Sequence, residues 1–480
     1  MALALAALTL VRLVVAAMVP LAPDEAYYWV WSRVLQPGYL DHPPMVALWV
    51  RLGTAIGGQN ALGVRLLGPI GALVGSLLLA DAGERLFAGR GVGARSAALL
   101  NATLMVGAGS VTMTPDTPLL FFAVVALWAL VRAGEGGRWW WLVVGVAVGA
   151  AMASKYTGVL LGFAVPAWLI WTRRWEALRS GWLWAGGAVA LAVFAPVLVW
   201  NGQHEWVSLL KQGGRAGDWR PERAAQFVAE LVGGQVGLAT PGIFALFAAG
   251  LWRAVRRAAK GAARRDGAST LLVALALPGV AIFAEHALGD RVQANWLALL
   301  YPPLAIAAAR WGAGWWRLAC GFGLGLTALV YVQAVTAALP LPALLDPTMR
   351  LAGWDGLARD AAALAGREGL GFIASEEYSQ AAELAWWAPA GTEVLGVQPR
   401  WALFRLDDPA PAAGLLLVSA RRSEGPDALA WTDISELGPL VRARGGVEAE
   451  RFRVYRVLLR TGSVAKIGVS AKILPRPRGE

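Results

Sequence analysis

Apolar runs of about twenty residues, separated by short charged or Gly/Pro-containing stretches, recur from residue 1 to about residue 338. No other feature restricts the fold as strongly, because a bilayer core is crossed by about 20 helical residues. Residues of the AVILMFWYC set make up 57% of the chain and charged residues only 16%. Soluble chains carry about 45–50% apolar and about 25% charged residues, so this much apolar surface needs lipid as its solvent. Soluble, disordered and fibrous classes are excluded together. The 25 tryptophans suit membrane–water interfaces, where the ring is half apolar and its N–H can stay wet.

With that ruler the chain divides into about eleven spans, near 1–21, 61–80, 93–112, 117–132, 139–153, 157–172, 182–200, 226–252, 269–287, 294–310 and 315–338. Basic residues cluster in alternate loops, such as Arg85, Arg90 and Arg95, or Arg253, Arg256, Arg257, Lys260, Arg264 and Arg265. The opposite loops are longer and poorer in Lys and Arg. Basic loops stay in the cytoplasm, which predicts a cytoplasmic amino terminus and an external carboxyl-terminal tail. The net charge of +11 therefore reads as topology information and not as nucleic-acid binding. The first 21 residues lack a basic n-region and a small-residue cleavage site and read as a retained helix. Cys320, the single cysteine, allows neither a disulfide within the chain nor a cysteine-based zinc site.

From about residue 345 the composition shifts: charges are spread throughout, with short strand-like runs at 371–374, 415–418 and 447–459 and a helical pattern at 381–387. The expected architecture is an all-α polytopic membrane domain over 1–344 followed by a small external α/β domain over 345–480.

The polar chemistry gathers on the external side. The first external loop, 21–60, reads Pro23-Asp24-Glu25-Ala26-Tyr27-Tyr28-Trp29 and later Gly38-Tyr39-Leu40-Asp41-His42-Pro43-Pro44-Met45. An acidic pair at a bilayer surface is costly to desolvate without a task or a partner, although Asp24 could equally cap the amphipathic stretch that follows. Thr114-Pro115-Asp116-Thr117-Pro118 lies on the same side, where a cap is again the plain alternative. So does Ser154-Lys155-Tyr156-Thr157, whose lysine could snorkel to lipid phosphate. The 200–223 loop carries Asn201, His204, Glu205, Lys211, Arg215, Asp218 and Arg220, and is longer than a plain connection needs. Carboxylates can serve as general bases and cations can hold a phosphate as negative charge develops on it. Both kinds of group on one face suit transfer from a lipid-phosphate carrier. His42, His204 and His286 lack zinc-site spacing; they allow a divalent metal without supporting one.

The three segments P-D-E-A-Y-Y-W…G-Y-L-D-H-P-P-M, T-P-D-T-P-L-L-F-F and S-K-Y-T-G-V-L-L, in that order, resemble the bacterial glycosyltransferase family 39 (PMT-like), which includes the lipid A aminoarabinose transferases. The resemblance implies a GT-C fold and transfer of a sugar, with inversion, from a polyprenyl-phosphate donor to a lipid or glycan acceptor, without a nucleotide-sugar site. It implies Asp24 as base or acceptor-orienting group and Asp116 as a second acid of the same cavity. Glu25, Tyr28, His42, Lys155, Tyr156 and His204 are the accompanying candidates for substrate binding. His42 stands where the lipid A transferases have a lysine, and it and Lys155 are assigned to the donor phosphate. A protein hydroxyl as acceptor, or a flippase of polyprenyl-linked substrates, stay open as alternatives. Against the flippase, few charges lie within the spans, whereas alternating access usually leaves a site near the midplane.

Overall fold

In a computed structural model of the chain, residues 1–213, 219–260, 267–312, 314–342, 345–404, 413–460 and 470–473 are described. Arg215, Asp218, Arg264 and Arg265 lie outside the described residues. The chain folds as two compact units, one of Met1–Val15, Pro37–Trp49 and Arg65–Tyr331, the other of Ala16–Gln36, Val50–Val64 and Val332–Glu480.

Helices make up the first unit. Over the described residues of the chain, five helices are long and apolar enough to cross a membrane: Ala61–Leu86, Asp116–Gly134, Gly181–Gln203, Gly267–His286 and Trp316–Thr336. Two bent helix pairs raise this to as many as seven, and Met45–Gly57, Trp140–Ser154 and Tyr156–Trp171 are shorter apolar helices. Fewer helices than the eleven expected therefore reach full spanning length. The run at 93–112, for example, is broken into Val92–Asn101 and Leu104–Gly109.

The span expected at 226–252 is not continuous. Helices Pro221–Ala239 and Pro241–Ala259 meet at a bend of 107°. Thr240 takes φ 70°, ψ 147°, and Pro241 has no N–H to carry a ladder through the corner. Helix 45–57 was likewise hidden inside what reads as an external loop.

Small residues let the helices approach closely, as in lipid, where packing replaces the hydrophobic effect between helices. A Cβ placed on Gly145 would lie 2.1 Å from the Gly186 carbonyl oxygen, so helices Trp140–Ser154 and Gly181–Gln203 touch backbone to backbone. Phe163, Trp184 and Leu318 point outward, as lipid-facing side chains do. The charge in the first span turns inward: buried Arg12 donates to Asn101 Oδ1 at 2.8 Å, and Asn101 donates to Ser76 Oγ at 2.7 Å.

The second unit is built on a six-stranded sheet in the order β4-β5-β3-β1-β2-β6. Its strands are β1 Phe372–Ser375, β2 Val394–Val397, β3 Ala413–Ser419, β4 Trp431–Arg444, β5 Val447–Leu459 and β6 Ser470–Ile473. Strand β1 runs parallel to β2 and β3, while β5 runs antiparallel to β3 and β4, and β6 to β2. The parallel strands β1 and β2 are buried along their whole length, as strands covered on both faces must be. Helix Tyr378–Trp387 makes the crossover between them. Gly445 and Gly446, both at positive φ (57° and 81°), turn β4 into β5, the backbone a two-residue hairpin requires. Helix Pro23–Arg33 belongs to this unit, with Trp29 edge-on to Trp386 at 5.1 Å.

Candidate active site

In the first unit the centre of the polar cluster is Asp116, at the start of helix Asp116–Gly134 and 3% exposed. It does not make the cap it was alternatively assigned: the N-cap position is Pro115, without a side-chain cap bond, and the neighbouring Thr117 Oγ1 accepts the Thr114 N–H at 3.2 Å. That leaves the Asp116 carboxylate to make other bonds. Lys155 Nζ donates to Oδ1 at 2.8 Å and Asn295 Nδ2 to Oδ2 at 2.5 Å.

Lys155 reaches this position because the chain leaves helix Trp140–Ser154 in an extended conformation, φ −157° and ψ 141°, before a single 3-10 turn at Tyr156–Gly158. Its ammonium is buried against a carboxylate, with 8% of the side chain exposed, and does not snorkel to lipid. Asn295 lies on the short 3-10 helix Ala294–Leu300. Gln235 anchors that turn by donating to the Ala294 carbonyl at 2.7 Å while accepting from Tyr301 Oη at 3.0 Å. The cavity that Asp116 helps to line holds about 40 Å³ and is walled mainly by Gly, Ala, Leu and Phe, room for water but not for a sugar.

Tyr156 continues the cluster. Its hydroxyl lies 2.8 Å from Ser208 Oγ and accepts from Asn201 Nδ2 at 3.2 Å. His204 stacks on Trp200 with ring centroids 4.2 Å apart and places Nδ1 2.7 Å from the Trp200 carbonyl oxygen. Asp41 is gripped from the same segment: Lys211 Nζ meets Oδ1 at 2.5 Å and Gln212 donates to the Asp41 carbonyl at 2.6 Å. Gly38 makes this docking possible, since a Cβ there would lie 2.6 Å from the Trp200 ring. His42, half-buried, follows Asp41 in this anchored turn.

In the second unit helix Pro23–Arg33 carries Asp24, Glu25 and Tyr28. The capping role considered for Asp24 falls to Glu25, which is fully buried and accepts the Ala22 N–H at 2.9 Å. Asp24 is exposed, and its Oδ1 accepts a hydrogen bond from Tyr378 Oη at 3.1 Å. The Tyr28 ring is buried edge-on to Trp31 at 5.0 Å.

Tyr378 is itself tightly held. Glu377 caps its helix by accepting the Ser379 and Gln380 N–H groups at 2.7 and 3.0 Å. The Arg400 guanidinium sits 3.7 Å from the centroid of the Tyr378 ring, and Tyr27 packs edge-on at 4.6 Å. Burial first, then the Asp24 and Glu377 carboxylates, push the Tyr378 phenol above its usual range, with Arg400 opposing. The phenol thus stays a hydrogen-bond donor to Asp24 at any ordinary pH.

The structure therefore joins Asp116, Lys155 and Tyr156, with His204 and Asp41 on neighbouring turns, and gives Asp24 a partner of its own. Sequence reasoning missed Asn295, Ser208, Tyr378 and Arg400. Asn295 lies in none of the motifs singled out above, and Tyr378 follows two glutamates that carried no motif. Among the described residues no three His, Cys, Asp or Glu side chains come together as a metal site needs.

Residues 41–200 match the family described as dolichyl-phosphate-mannose-protein mannosyltransferase. The chain is 31% identical over 383 residues to the lipid A galacturonosyltransferase RgtD of Rhizobium johnstonii, covering 75% of this chain and 76% of that one. It is 27% identical over 196 residues to the undecaprenyl phosphate-alpha-4-amino-4-deoxy-L-arabinose arabinosyl transferase of Pseudomonas aeruginosa, covering 37% and 34% of the two chains. In fold it is similar to ArnT from Cupriavidus metallidurans, solved bound to undecaprenyl phosphate, with a TM-score of 0.60, 16% identity, and 96% and 98% of the chains covered.

Proposed function

Because the chain belongs to the PMT-like family of membrane glycosyltransferases, we propose that it moves a sugar from a polyprenyl-phosphate donor to lipid A or a related envelope glycan outside the cytoplasm. The observation that carries the mechanism is the exposed Asp24 carboxylate held by the Tyr378 phenol. An acceptor hydroxyl attacks the anomeric carbon as its proton passes to Asp24. The bond from that carbon to the carrier-phosphate oxygen breaks, its electron pair leaves with the phosphate, and the configuration inverts. Tyr378 fixes the direction of the Asp24 carboxylate, and Arg400 fixes Tyr378.

Asp116 serves as a positioning acid. Paired with Lys155 and Asn295, it holds the turn that carries Lys155 and Tyr156 in place. His42 is the donor-phosphate contact, replacing the lysine of the lipid A transferases, and Lys155 contributes its field from beside Asp116. Glu25 and Tyr28 shape the helix under Asp24, and His204 shapes the neighbouring turn. The similarity to a galacturonosyltransferase makes an undecaprenyl-phosphate uronic acid the first donor to test.

We propose further that the chain passes the membrane eleven times, some passes being short or broken, with its amino terminus in the cytoplasm and residues 345–480 as an α/β domain outside the inner membrane. In a bacterium lacking its own lipid A glycosyltransferases but supplied with the donor, expression of the protein is expected to shift the mass of lipid A by one sugar. Asp24→Asn abolishes the shift at equal protein level. An unshifted lipid A with wild-type protein and donor present contradicts the acceptor. A shift that survives Asp24→Asn contradicts the base.

A further inference from the structure

Helix Ala224–Ala239 ends at the 107° corner described above. Its buried face reads Phe227, Leu231, Gln235 and Ala239, at spacings of four. Three of these are apolar, and a glutamine among them is costly to bury unless both ends of its amide are bonded. We propose that Gln235 is a positioning residue of the transfer reaction: its amide sets the peptide plane before Asn295 and, through Asn295, the Asp116 carboxylate and Lys155. This rests on the reading of Asp116 as the acid that holds the Lys155 turn in place.

Gln235 is 6% exposed, and its partners leave its amide one orientation. The Ala294 carbonyl can only accept, so the amide nitrogen faces it at 2.7 Å; the amide oxygen then faces Tyr301 Oη, which donates at 3.0 Å. Tyr301 is itself fixed, buried and edge-on to Phe247 at 5.4 Å. The Ala294 carbonyl and the Asn295 nitrogen belong to one rigid peptide plane. Holding that carbonyl therefore sets the direction in which the Asn295 side chain leaves the backbone. Asp116 depends on that direction: its Oδ2 accepts from Asn295 Nδ2 at 2.5 Å, while Oδ1 accepts from Lys155 Nζ at 2.8 Å.

The close approach is built into the helix. A Cβ on Gly234 would lie 2.6 Å from the Ala294 Cβ, so glycine lets the two backbones come near enough for the Gln235 amide to reach the carbonyl. Two further contacts run along the same segment toward its start: Glu230 Oε2 meets Arg291 Nε at 2.8 Å, and the Arg220 N–H donates to the Gly289 carbonyl at 2.7 Å. The Arg291 side chain is 71% exposed, and an exposed ion pair of that kind holds little. The buried amide has no water to replace its bonds, which makes Gln235 the contact that fixes Asn295. A purely structural pin would affect stability alone. A pin acting through Asn295 also affects turnover, and only while Asn295 is present.

The test uses the full-length protein in detergent, with lipid A and a synthetic undecaprenyl-phosphate uronic acid, and follows turnover beside amide hydrogen exchange over residues 292–300. Gln235→Leu, similar in volume, is expected to lower kcat about three- to tenfold, the worth of one neutral hydrogen bond. Exchange in that segment should quicken by a similar factor, with the KM for lipid A unchanged. Tyr301→Phe, which leaves the amide free to turn, is expected to fall between Gln235→Leu and wild type. Tyr331→Phe removes a buried phenol bond of the same kind, to the Gly107 carbonyl at 2.6 Å, and leaves turnover and exchange over 292–300 unchanged. In an Asn295→Ala background, Gln235→Leu is expected to cost no further turnover. Wild-type turnover in Asn295→Ala overturns the reading of Asp116 and the role of Gln235 with it. Reduced turnover in Asn295→Ala beside wild-type kcat or exchange in Gln235→Leu overturns the role of Gln235 alone. So does a double variant whose losses multiply, or a Tyr331→Phe that matches Gln235→Leu.

Discussion

Removing Lys155 leaves a carboxylate that is 3% exposed with only Asn295 still bonded to it by the contacts described above. Breaking a buried ion pair by deleting one partner costs about 3–5 kcal/mol, because the remaining charge is stranded in a medium that cannot solvate it. Lys155→Met, which fills much of the same volume, is therefore expected to destabilise the protein by about that amount. An exposed pair gives the control: Arg359 and Asp355 lie 3.0 Å apart, but their side chains are 66% and 50% exposed, and pairs of that kind contribute about 0–1 kcal/mol. Distance is nearly the same in the two pairs; burial is not. In the double variant Asp116→Asn/Lys155→Met both charges are gone, so most of the loss should be recovered, giving a coupling energy of about 2–4 kcal/mol. The assay is SDS titration in mixed micelles followed by circular dichroism, applied to wild type, the two singles, the double and Arg359→Met. Lys155→Met no more costly than Arg359→Met refutes the buried pair, as does a double variant that merely adds the two single losses.

Asp24→Asn keeps shape but removes the carboxylate proposed as the base, and transfer should fall by about two to four orders of magnitude with an unchanged gel-filtration profile. Tyr378→Phe should lower turnover while leaving donor binding intact, read as a change in kcat without one in KM. Tyr378 has a raised folded-state value, so its contribution to stability is complete below the ordinary tyrosine value, about pH 10, and is lost as pH rises further. The alkaline decline in wild-type stability should therefore be steeper than in Tyr378→Phe, as pH-dependent thermal unfolding would show. His42→Lys should retain more transfer than His42→Ala with every sugar donor, since on the proposed assignment only a phosphate contact is exchanged. A cysteine at exposed Gly202 should react with a membrane-impermeant thiol reagent from outside intact spheroplasts, and one at exposed Gly89 should not; the reverse pattern inverts the topology.

The membrane class and the mixed α/β tail were legible because each leaves a local trace. Hydrophobic runs marked β1, β3 and β5, and helix 381–387 was found within one turn of its observed start at Tyr378. Strand β4 left no such trace: its middle, Asp433–Glu436, is exposed, and bulges flank Ser435 and Gly438, so period-two alternation is lost. The corner at Thr240-Pro241 was readable from the proline but was hidden under a continuous apolar run. Pairings were the least legible. Lys155 was assigned to the donor phosphate, yet its bonded partner is Asp116, 39 residues away in sequence. Asn295, 179 residues from Asp116, and Tyr378, 354 residues from Asp24, become visible only when the chain is folded.

The central claim is transfer from a polyprenyl-phosphate donor with Asp24 as base, and reconstitution tests it most directly. Purified protein in detergent is supplied with lipid A and a synthetic undecaprenyl-phosphate sugar, and the product is followed by mass spectrometry and anomeric NMR. The account predicts one sugar added per acceptor with inverted configuration, stoichiometric release of undecaprenyl phosphate, and loss of both products in Asp24→Asn. A product of retained configuration, or equal turnover by wild type and Asp24→Asn, contradicts it.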